Sequence, residues 1–237
     1  MNVIGMGSVR GAPGVTTSAM LVAGAMSGSI ALVEADLAGG VIAVRYGLGR
    51  EPGLTTLAAT GPLEPAGWRE HAQDAGGLAV LVGPDSPDSA RSLWRRAGDR
   101  LGRNLTNSDA TVVADLGRLN DELPLSDHLT ALVILVRPVA EHLVTLSHRL
   151  PVLRQQMPHI GVLLVGEGIY GPADIAGPLG VDVLGVLPHD PRAAEALSGD
   201  GRGMNLSRSR LFRSISGVAS AIHAAATPID PREACTR

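Results

Sequence analysis

The feature of this sequence that most constrains its fold is an alternation of short apolar runs with longer segments containing mainly Ala, Leu and Arg. Several runs are apolar at every position, which is typical of strands covered on both faces. The intervening segments are long enough for crossover helices, so the pattern predicts an α/β fold with a doubly wound, mostly parallel sheet. The predicted strands lie at 3–6, 30–33, 78–82, 111–114, 131–136, 161–165 and 181–187.

The domain organisation follows from length and from the absence of a dividing linker. A chain of 237 residues, 45% of them hydrophobic, fits one large domain with a proper core. We therefore predict a single domain over residues 1–226 and a flexible tail over 227–237. The stretch 49–77 contains Gly, Pro and polar residues, which indicates short helices and loops.

The charged residues exclude several functions. All twenty cationic side chains are arginine, so mechanisms that need a lysine, such as a Schiff base or a P-loop ammonium, are excluded. The formal net charge of -3 argues against a globally basic nucleic-acid binder, although it permits a local basic patch.

The cysteine content and the apolar runs of the sequence indicate the cellular compartment of the protein. Cys235 is the only cysteine, which excludes an intrachain disulfide framework and fits a reducing compartment. The chain shows no secretory signal pattern and no uninterrupted apolar run of about 18 residues. We therefore expect a cytoplasmic protein.

The turn after the first predicted strand has the composition of a phosphate-binding loop. Residues 8–17 read Ser-Val-Arg-Gly-Ala-Pro-Gly-Val-Thr-Thr and precede an Ala- and Leu-rich helix. Small residues let backbone N–H groups converge on an anion, and the dipole at a helix N-terminus adds to the attraction. Against the ordinary P-loop pattern Gly-x-x-x-x-Gly-Lys-[Ser/Thr], Gly14 and Thr16 keep their places, but Val15 stands at the lysine position.

This segment resembles the deviant loop Lys-Gly-Gly-x-Gly-Lys-Thr-Thr of the ParA/MinD family of partitioning and positioning ATPases. Arg10 stands at the extra signature lysine of that family, Ala12 replaces a glycine, and Val15 replaces the phosphate-binding lysine. Pro13 has no N–H group, which removes one donor from the loop. The remaining matches are Gly11, Gly14, Thr16 and Thr17.

Three further segments resemble this family in the right order, so the resemblance spans residues 2–200. Residues 31–40 resemble the apolar strand that ends in Asp-x-Asp, with Glu34 in place of the first acid and Asp36 matching the second. Residues 111–117 resemble the Walker B strand, which ends at Asp115. Residues 185–191 resemble the turn that lies near the base and contains Pro188.

The resemblance implies a P-loop fold that binds ATP or ADP with Mg²⁺. It places Arg10 across a homodimer at the partner's phosphates, and Asp36 beside the attacking water. It places Thr16 and Asp115 at the metal and Pro188 near the base. The implied phosphate-binding residues are Arg10, Gly11, Ala12, Pro13, Gly14, Val15, Thr16 and Thr17.

One family element is missing: where relatives often carry an adenine-reading Asn, this chain has Gly166-Glu167-Gly168. Local structural interpretations also stay open. Thr16 suits helix capping and Asp36 suits a turn. Asp115 could be an acid at a strand end, and the loop itself could be a tight turn without a ligand.

Two functions are compatible with these features. The first is a nucleotide-dependent spatial organiser, a partitioning or positioning factor that is at most a slow ATPase. The second is a pseudo-ATPase scaffold that binds protein partners of a pilus, secretion or division apparatus without nucleotide.

A predicted last helix begins near residue 206, with Arg208, Arg210 and Arg213 close to its start. Its apolar positions 211, 215, 218 and 222 have the spacing of a helix that packs on a core, which is the interpretation we favour. Contact of this basic helix with anionic lipid or a DNA backbone is the alternative.

Overall fold

The structure, a computed structural model, describes residues 2–11, 14–157, 159–197 and 210–227. Its strands are β1 (Val3–Ser8), β2 (Ile30–Glu34), β3 (Gln73–Asp74), β4 (Ala79–Leu81), β5 (Thr111–Arg118), β6 (Ala131–Val136), β7 (Ile160–Val165) and β8 (Asp182–Leu187). They form an eight-stranded sheet in the order β3-β4-β2-β5-β1-β6-β7-β8. Every neighbouring pair is parallel except β3 and β4, which are antiparallel.

Helices cover both faces of this sheet. They are α1 (Val15–Ala25), α2 (Ile42–Tyr46), α3 (Leu54–Ala59), α4 (Pro87–Thr106), α5 (Ala140–Gln156), α6 (Pro172–Leu179), α7 (Pro191–Leu197) and α8 (Arg210–Ala226), with 3₁₀ turns at Gly67–His71 and Ser126–His128. Side chains of a strand alternate between faces, so Val112 and Ala114 belong to one apolar cluster and Val113 to the other. Helices α3 to α6 complete the first cluster, and α1, α2, α7 and α8 complete the second. The predicted doubly wound α/β fold is confirmed.

The strands differ from their predicted bounds in two informative places. Strand β5 continues past the apolar run 111–114 to Arg118, because Asp115 keeps its pairing with β1 and β2. Strand β3 was not predicted, because Gln73 and Asp74 are polar and carry no apolar signal.

The last helix packs on the sheet. Within α8 the apolar positions Leu211, Ile215, Val218 and Ile222 are buried, and the helix contacts β8 and α1. Its apolar stripe is therefore covered by the sheet, while Arg213 is exposed. The expected start at residue 206, Arg208, and the tail beyond Thr227 lie outside the described residues. None of the helices in the described ranges combines the length and apolarity that crossing a membrane requires.

Candidate functional site

The carboxyl ends of β1, β2 and β5 meet at one edge of the sheet. Asp115 is in register with Met6 on one side and with Glu34 on the other. The segments that follow these strands therefore start close together, although they are far apart in sequence. In open α/β sheets this edge is where ligands bind.

The loop between β1 and α1 depends on two glycines. Gly11 and Gly14 have φ angles of +48° and +77°, in the left-handed region that favours glycine. Apart from their chain neighbours, no atom of the described residues lies within 4 Å of a Cβ added at either position, so backbone conformation rather than crowding favours these glycines. Gly14 caps the N-terminus of α1, and its carbonyl accepts a hydrogen bond from the N–H of Ser18 at 2.9 Å. Ala12 and Pro13 lie outside the described residues.

Two cavities adjoin this loop, and both are bordered by Gly14 and Thr17. The first has a volume of about 240 Å³ and is also lined by Ser8, Gly11, Val15, Thr16, Asp36, Arg45, Gly117 and Arg118. The second has a volume of about 440 Å³ and contains Pro188. The two cavities therefore share part of their lining at the start of α1.

Asp115 is a buried carboxylate beside the first cavity, with 1% of its surface exposed. Its Oδ1 accepts a hydrogen bond from the N–H of Gly117 at 3.0 Å, whereas Oδ2 has no hydrogen-bond partner in the described part of the chain. Burial raises the pKa of Asp115 to about 6. The Thr16 hydroxyl and the Gly117 N–H oppose this rise, and the charges of Asp36 and Glu34 add to it.

Asp36 lies against the backbone of β5. A Cβ on Gly117 would lie 2.1 Å from the Asp36 carboxyl carbon, and Gly117 has a φ of +57°, so both the close approach and the conformation require glycine there. The Asp36 Oδ1 accepts a hydrogen bond from the N–H of Ala38 at 2.8 Å. Burial raises the pKa of this half-buried carboxyl, and the Ala38 N–H opposes the rise.

Glu34 serves the fold rather than the cavity. Its Oε1 accepts hydrogen bonds from the N–H groups of Val41 at 2.5 Å and Ile42 at 2.7 Å, and its Oε2 accepts one from the N–H of Gly83 at 3.0 Å. The carboxylate thus connects the start of α2 to the segment after β4. Burial raises the pKa of Glu34, and the three N–H groups and then the charge of Arg45 oppose the rise.

Sequence reasoning missed two cations that line the first cavity. Arg118 follows the Walker B-like segment and is exposed at the end of β5. Arg45 lies on α2, and its Nη1 is buried without a hydrogen-bond partner among the described residues. Proximity to Asp115 in sequence could have pointed to Arg118. Nothing local pointed to Arg45, because its place depends on how α2 packs.

The other predicted site residues lie around these cavities. Val15 lines the first cavity but is 6% exposed and packs into the apolar cluster on the α1 face. Arg10 is exposed and does not line either cavity. Burial, and then the charges of Arg137 and Arg10, lower the pKa of His142 near the start of α5.

The polar groups at the first cavity suit a metal–polyphosphate ligand. Two buried atoms of opposite charge lack partners in the described ranges: Arg45 Nη1, which suits an anion, and Asp115 Oδ2, which suits a cation. No cluster of three His, Cys, Asp or Glu side chains that could hold a metal ion occurs among the described residues. Mg²⁺ is commonly bound through one or two protein groups together with substrate phosphates and water, so Thr16 and Asp115 fit such an ion.

Several solved structures resemble the chain over nearly its whole length. One is a ParA family ATPase from Chlorobium tepidum, 19% identical with a TM-score of 0.74, covering 92% of this chain and 98% of that chain. Another is the septum site-determining protein MinD from Pyrococcus horikoshii complexed with Mg-ADP, 17% identical with a TM-score of 0.73, covering 96% and 99%. A third is the MinC:MinD cell division protein complex of Aquifex aeolicus, 14% identical with a TM-score of 0.72, covering 97% and 98%.

By sequence the chain matches no protein-family model and no curated protein. At these identities the structural likeness establishes the fold. That fold is the P-loop fold of the MinD and ParA ATPases, as the resemblance in the sequence implied.

Proposed function

We propose that this protein binds ATP or ADP with Mg²⁺ and acts as a nucleotide-dependent partitioning or positioning factor that is at most a slow ATPase. The observation that carries the proposal is the pair of cavities sharing Gly14 and Thr17. Arg45, whose buried Nη1 has no partner among the described residues, lines one cavity, and Pro188 lines the other. We assign the polyphosphate to the first cavity, which Arg45 and Arg118 line, and the base to the second.

We assign a role to each group in the proposed site. Backbone N–H groups from the loop and the start of α1 bind phosphate oxygens, helped by the helix dipole. Thr16 and Asp115 hold Mg²⁺, which neutralises phosphate charge. Asp36 positions the attacking water, and Pro188 contacts the base. The proposed phosphate-binding residues are Gly11, Ala12, Pro13, Gly14, Val15, Thr16 and Thr17, of which Ala12 and Pro13 lie outside the described residues.

The proposed positioning role is supported by the similar structures, which include a cell-division MinD in complex with MinC and a ParA family ATPase. We propose that this chain likewise forms a homodimer in which Arg10 reaches the partner's phosphates. Arg10 is exposed and carries a permanent charge, and its fork-shaped head can bind phosphate through two hydrogen bonds. The dimer then binds a further protein partner.

Isothermal titration of the chain with ATP and Mg²⁺, paired with thermal unfolding, tests the proposal. A ligand bound by the native state alone raises stability by about 2.7 kcal/mol at a concentration of 100 Kd. We expect binding heat and a rise in Tm at millimolar ATP. Absence of both at that concentration would contradict nucleotide binding.

A scaffold that works without nucleotide is the second candidate, and Val15 is the observation that favours it. Its side chain packs in the apolar cluster where the related loops carry a phosphate-binding lysine. The two candidates differ in whether dimer formation depends on nucleotide.

A further inference from the structure

A partly buried arginine whose Nη1 is buried without a partner among the described residues borders the cavity beside the loop. Arg45 lines this cavity, and its Nη1 makes no hydrogen bond to any residue that the structure describes. A guanidinium nitrogen in this situation has lost its hydration and gained no protein acceptor, which is unfavourable for the native state. Buried polar atoms without partners are uncommon in native proteins, and an absent ligand or ion is one of the usual reasons for them.

Arg45 is not explained as the counter-ion of Glu34. Both Glu34 carboxylate oxygens already accept hydrogen bonds from backbone N–H groups, at Val41, Ile42 and Gly83. Arg45 affects the pKa of Glu34 less than any of these N–H groups. Glu34 instead fixes the segment on which Arg45 lies, because two of its hydrogen bonds hold Val41 and the first residue of α2.

The loop contributes no cation to the lining of this cavity among the described residues, since Arg10 does not line it. Val15 occupies the lysine position, and the chain contains no lysine to replace it. Arginine is charged at all physiological pH values, and its planar head can donate two parallel hydrogen bonds to phosphate. Arg118 lines the same cavity, but it is exposed at the end of β5, where water competes for its hydrogen bonds.

Resting on the proposed nucleotide-binding function, we propose that Arg45 replaces the missing loop lysine and binds the phosphate groups of the nucleotide from α2. The phosphate-binding cation therefore lies on α2 in this protein, whereas the related motif has it in the loop. The ligand recognised at this position is a nucleoside polyphosphate, and the protein group that recognises it is a guanidinium.

Titration of four proteins with ATP and Mg²⁺ tests this assignment: the wild type, Arg45→Met, Arg45→Lys and Arg50→Ala. Methionine keeps the apolar stem without the charge, and lysine keeps the charge without the fork. Arg50→Ala removes an exposed arginine that pairs with Asp85 and lies outside the cavity. A hydrogen bond to a charged group is worth enough to change affinity about 10- to 100-fold. We expect a loss of ATP affinity of this size in Arg45→Met, a smaller loss of affinity in Arg45→Lys and no loss in Arg50→Ala.

Thermal unfolding without ligand separates binding from a structural role. Because Arg45→Met removes a partly buried guanidinium whose Nη1 has no partner among the described residues, its Tm without nucleotide should equal or exceed that of the wild type. A second variant, Val15→Lys combined with Arg45→Met, should recover part of the lost affinity by returning a cation to the loop.

The outcomes separate the two proposals. If the wild type shows no binding, the proposed function fails and the role of Arg45 fails with it. If the wild type binds ATP and Arg45→Met binds it equally well, the role of Arg45 alone is overturned. A lower Tm of unliganded Arg45→Met, or an equal loss of affinity in Arg50→Ala, would also overturn it.

Discussion

Asp115 carries the clearest conflict between stability and function at the scale of single residues. Its carboxyl is buried, has one oxygen without a partner among the described residues, and has a pKa raised to about 6. At neutral pH the native protein therefore holds an ionised carboxylate at a cost in free energy. Metal binding would recover this cost, because a cation at Oδ2 stabilises the charged form.

We predict that Asp115→Asn stabilises the protein without ligand at pH 8. The pKa of Asp115 is about 6 in the native state and about 3.8 unfolded, so protonation stabilises the native state. The stabilising contribution is fully present below about pH 3.8 and is lost as pH rises through about 6. This difference in pKa corresponds to a free energy of unfolding that is higher in Asp115→Asn by on the order of 2–3 kcal/mol at pH 8. The matching rise in Tm is roughly 4–12 °C.

Thermal unfolding at pH 8 and pH 4.5, without Mg²⁺ or nucleotide, measures this effect. The gain in Asp115→Asn should shrink toward zero as pH falls from 6 to 4. The exposed Asp127→Asn serves as the control and should change Tm little at either pH. A gain of the same size at both pH values would contradict burial of the charge as its cause.

We predict that ATP turnover by the isolated protein is barely detectable even where ATP binds. Removing one preorganised donor typically costs ~10²–10³ in rate, and the loop has lost its lysine. A cation that binds ground-state and transition-state phosphates equally well does not raise the rate of the chemical step. Val15→Lys should raise phosphate release about tenfold or more, and adding Asp36→Ala should abolish the gain. Robust wild-type turnover that Asp36→Ala abolishes would show that arginine replaces the lysine in catalysis as well.

Helix α2 depends, at the scale of elements, on a single buried acid. Five residues are too few for a stable isolated helix, so tertiary contacts must hold α2 in place. Glu34 supplies three hydrogen bonds that connect α2 and the segment after β4 to the end of β2. These bonds also determine where Arg45 lies relative to the loop.

We predict that Glu34→Ala destabilises the protein by about 2–4 kcal/mol, because it leaves backbone N–H groups without acceptors. Hydrogen exchange should rise at the amides of Val41, Ile42 and Gly83, and ATP affinity should fall because α2 carries Arg45. Denaturant unfolding and exchange measured by mass spectrometry check both effects. The exposed Glu51→Ala is the matched control. Unchanged exchange at these three amides would show that other contacts hold α2.

The sequence was sufficient for features that are local or repeated. Continuous apolar runs predicted the central strands, and glycines at 11 and 14 predicted the loop whose backbone requires positive φ angles. Arg45 could not be predicted, because a helix of five residues shows no period and its position depends on the hydrogen bonds of Glu34. Glu34 likewise stands where the related motif has its first acid, whereas its burial and hydrogen-bond partners give it a structural role.

At the scale of the whole molecule, the placement of the arginines separates binding within one chain from contact between two chains. Arg45 lines the cavity of its own chain, whereas Arg10 is exposed and lines neither cavity at the loop. Loss of Arg45 should therefore weaken ATP binding by the monomer. Loss of Arg10 should leave that binding nearly unchanged and affect only a contact with a partner.

We predict that the protein is monomeric without nucleotide and dimeric with ATP and Mg²⁺, and that Arg10→Ala stays monomeric in both conditions. Sedimentation velocity on Asp36→Ala, which slows hydrolysis, and on Asp36→Ala with Arg10→Ala measures this directly. Adding Arg50→Ala instead controls for the loss of one exposed positive charge. A dimer that forms without ATP and persists in Arg10→Ala would favour the scaffold. A monomer that binds ATP but never dimerises would contradict the role of Arg10 while leaving the nucleotide site intact.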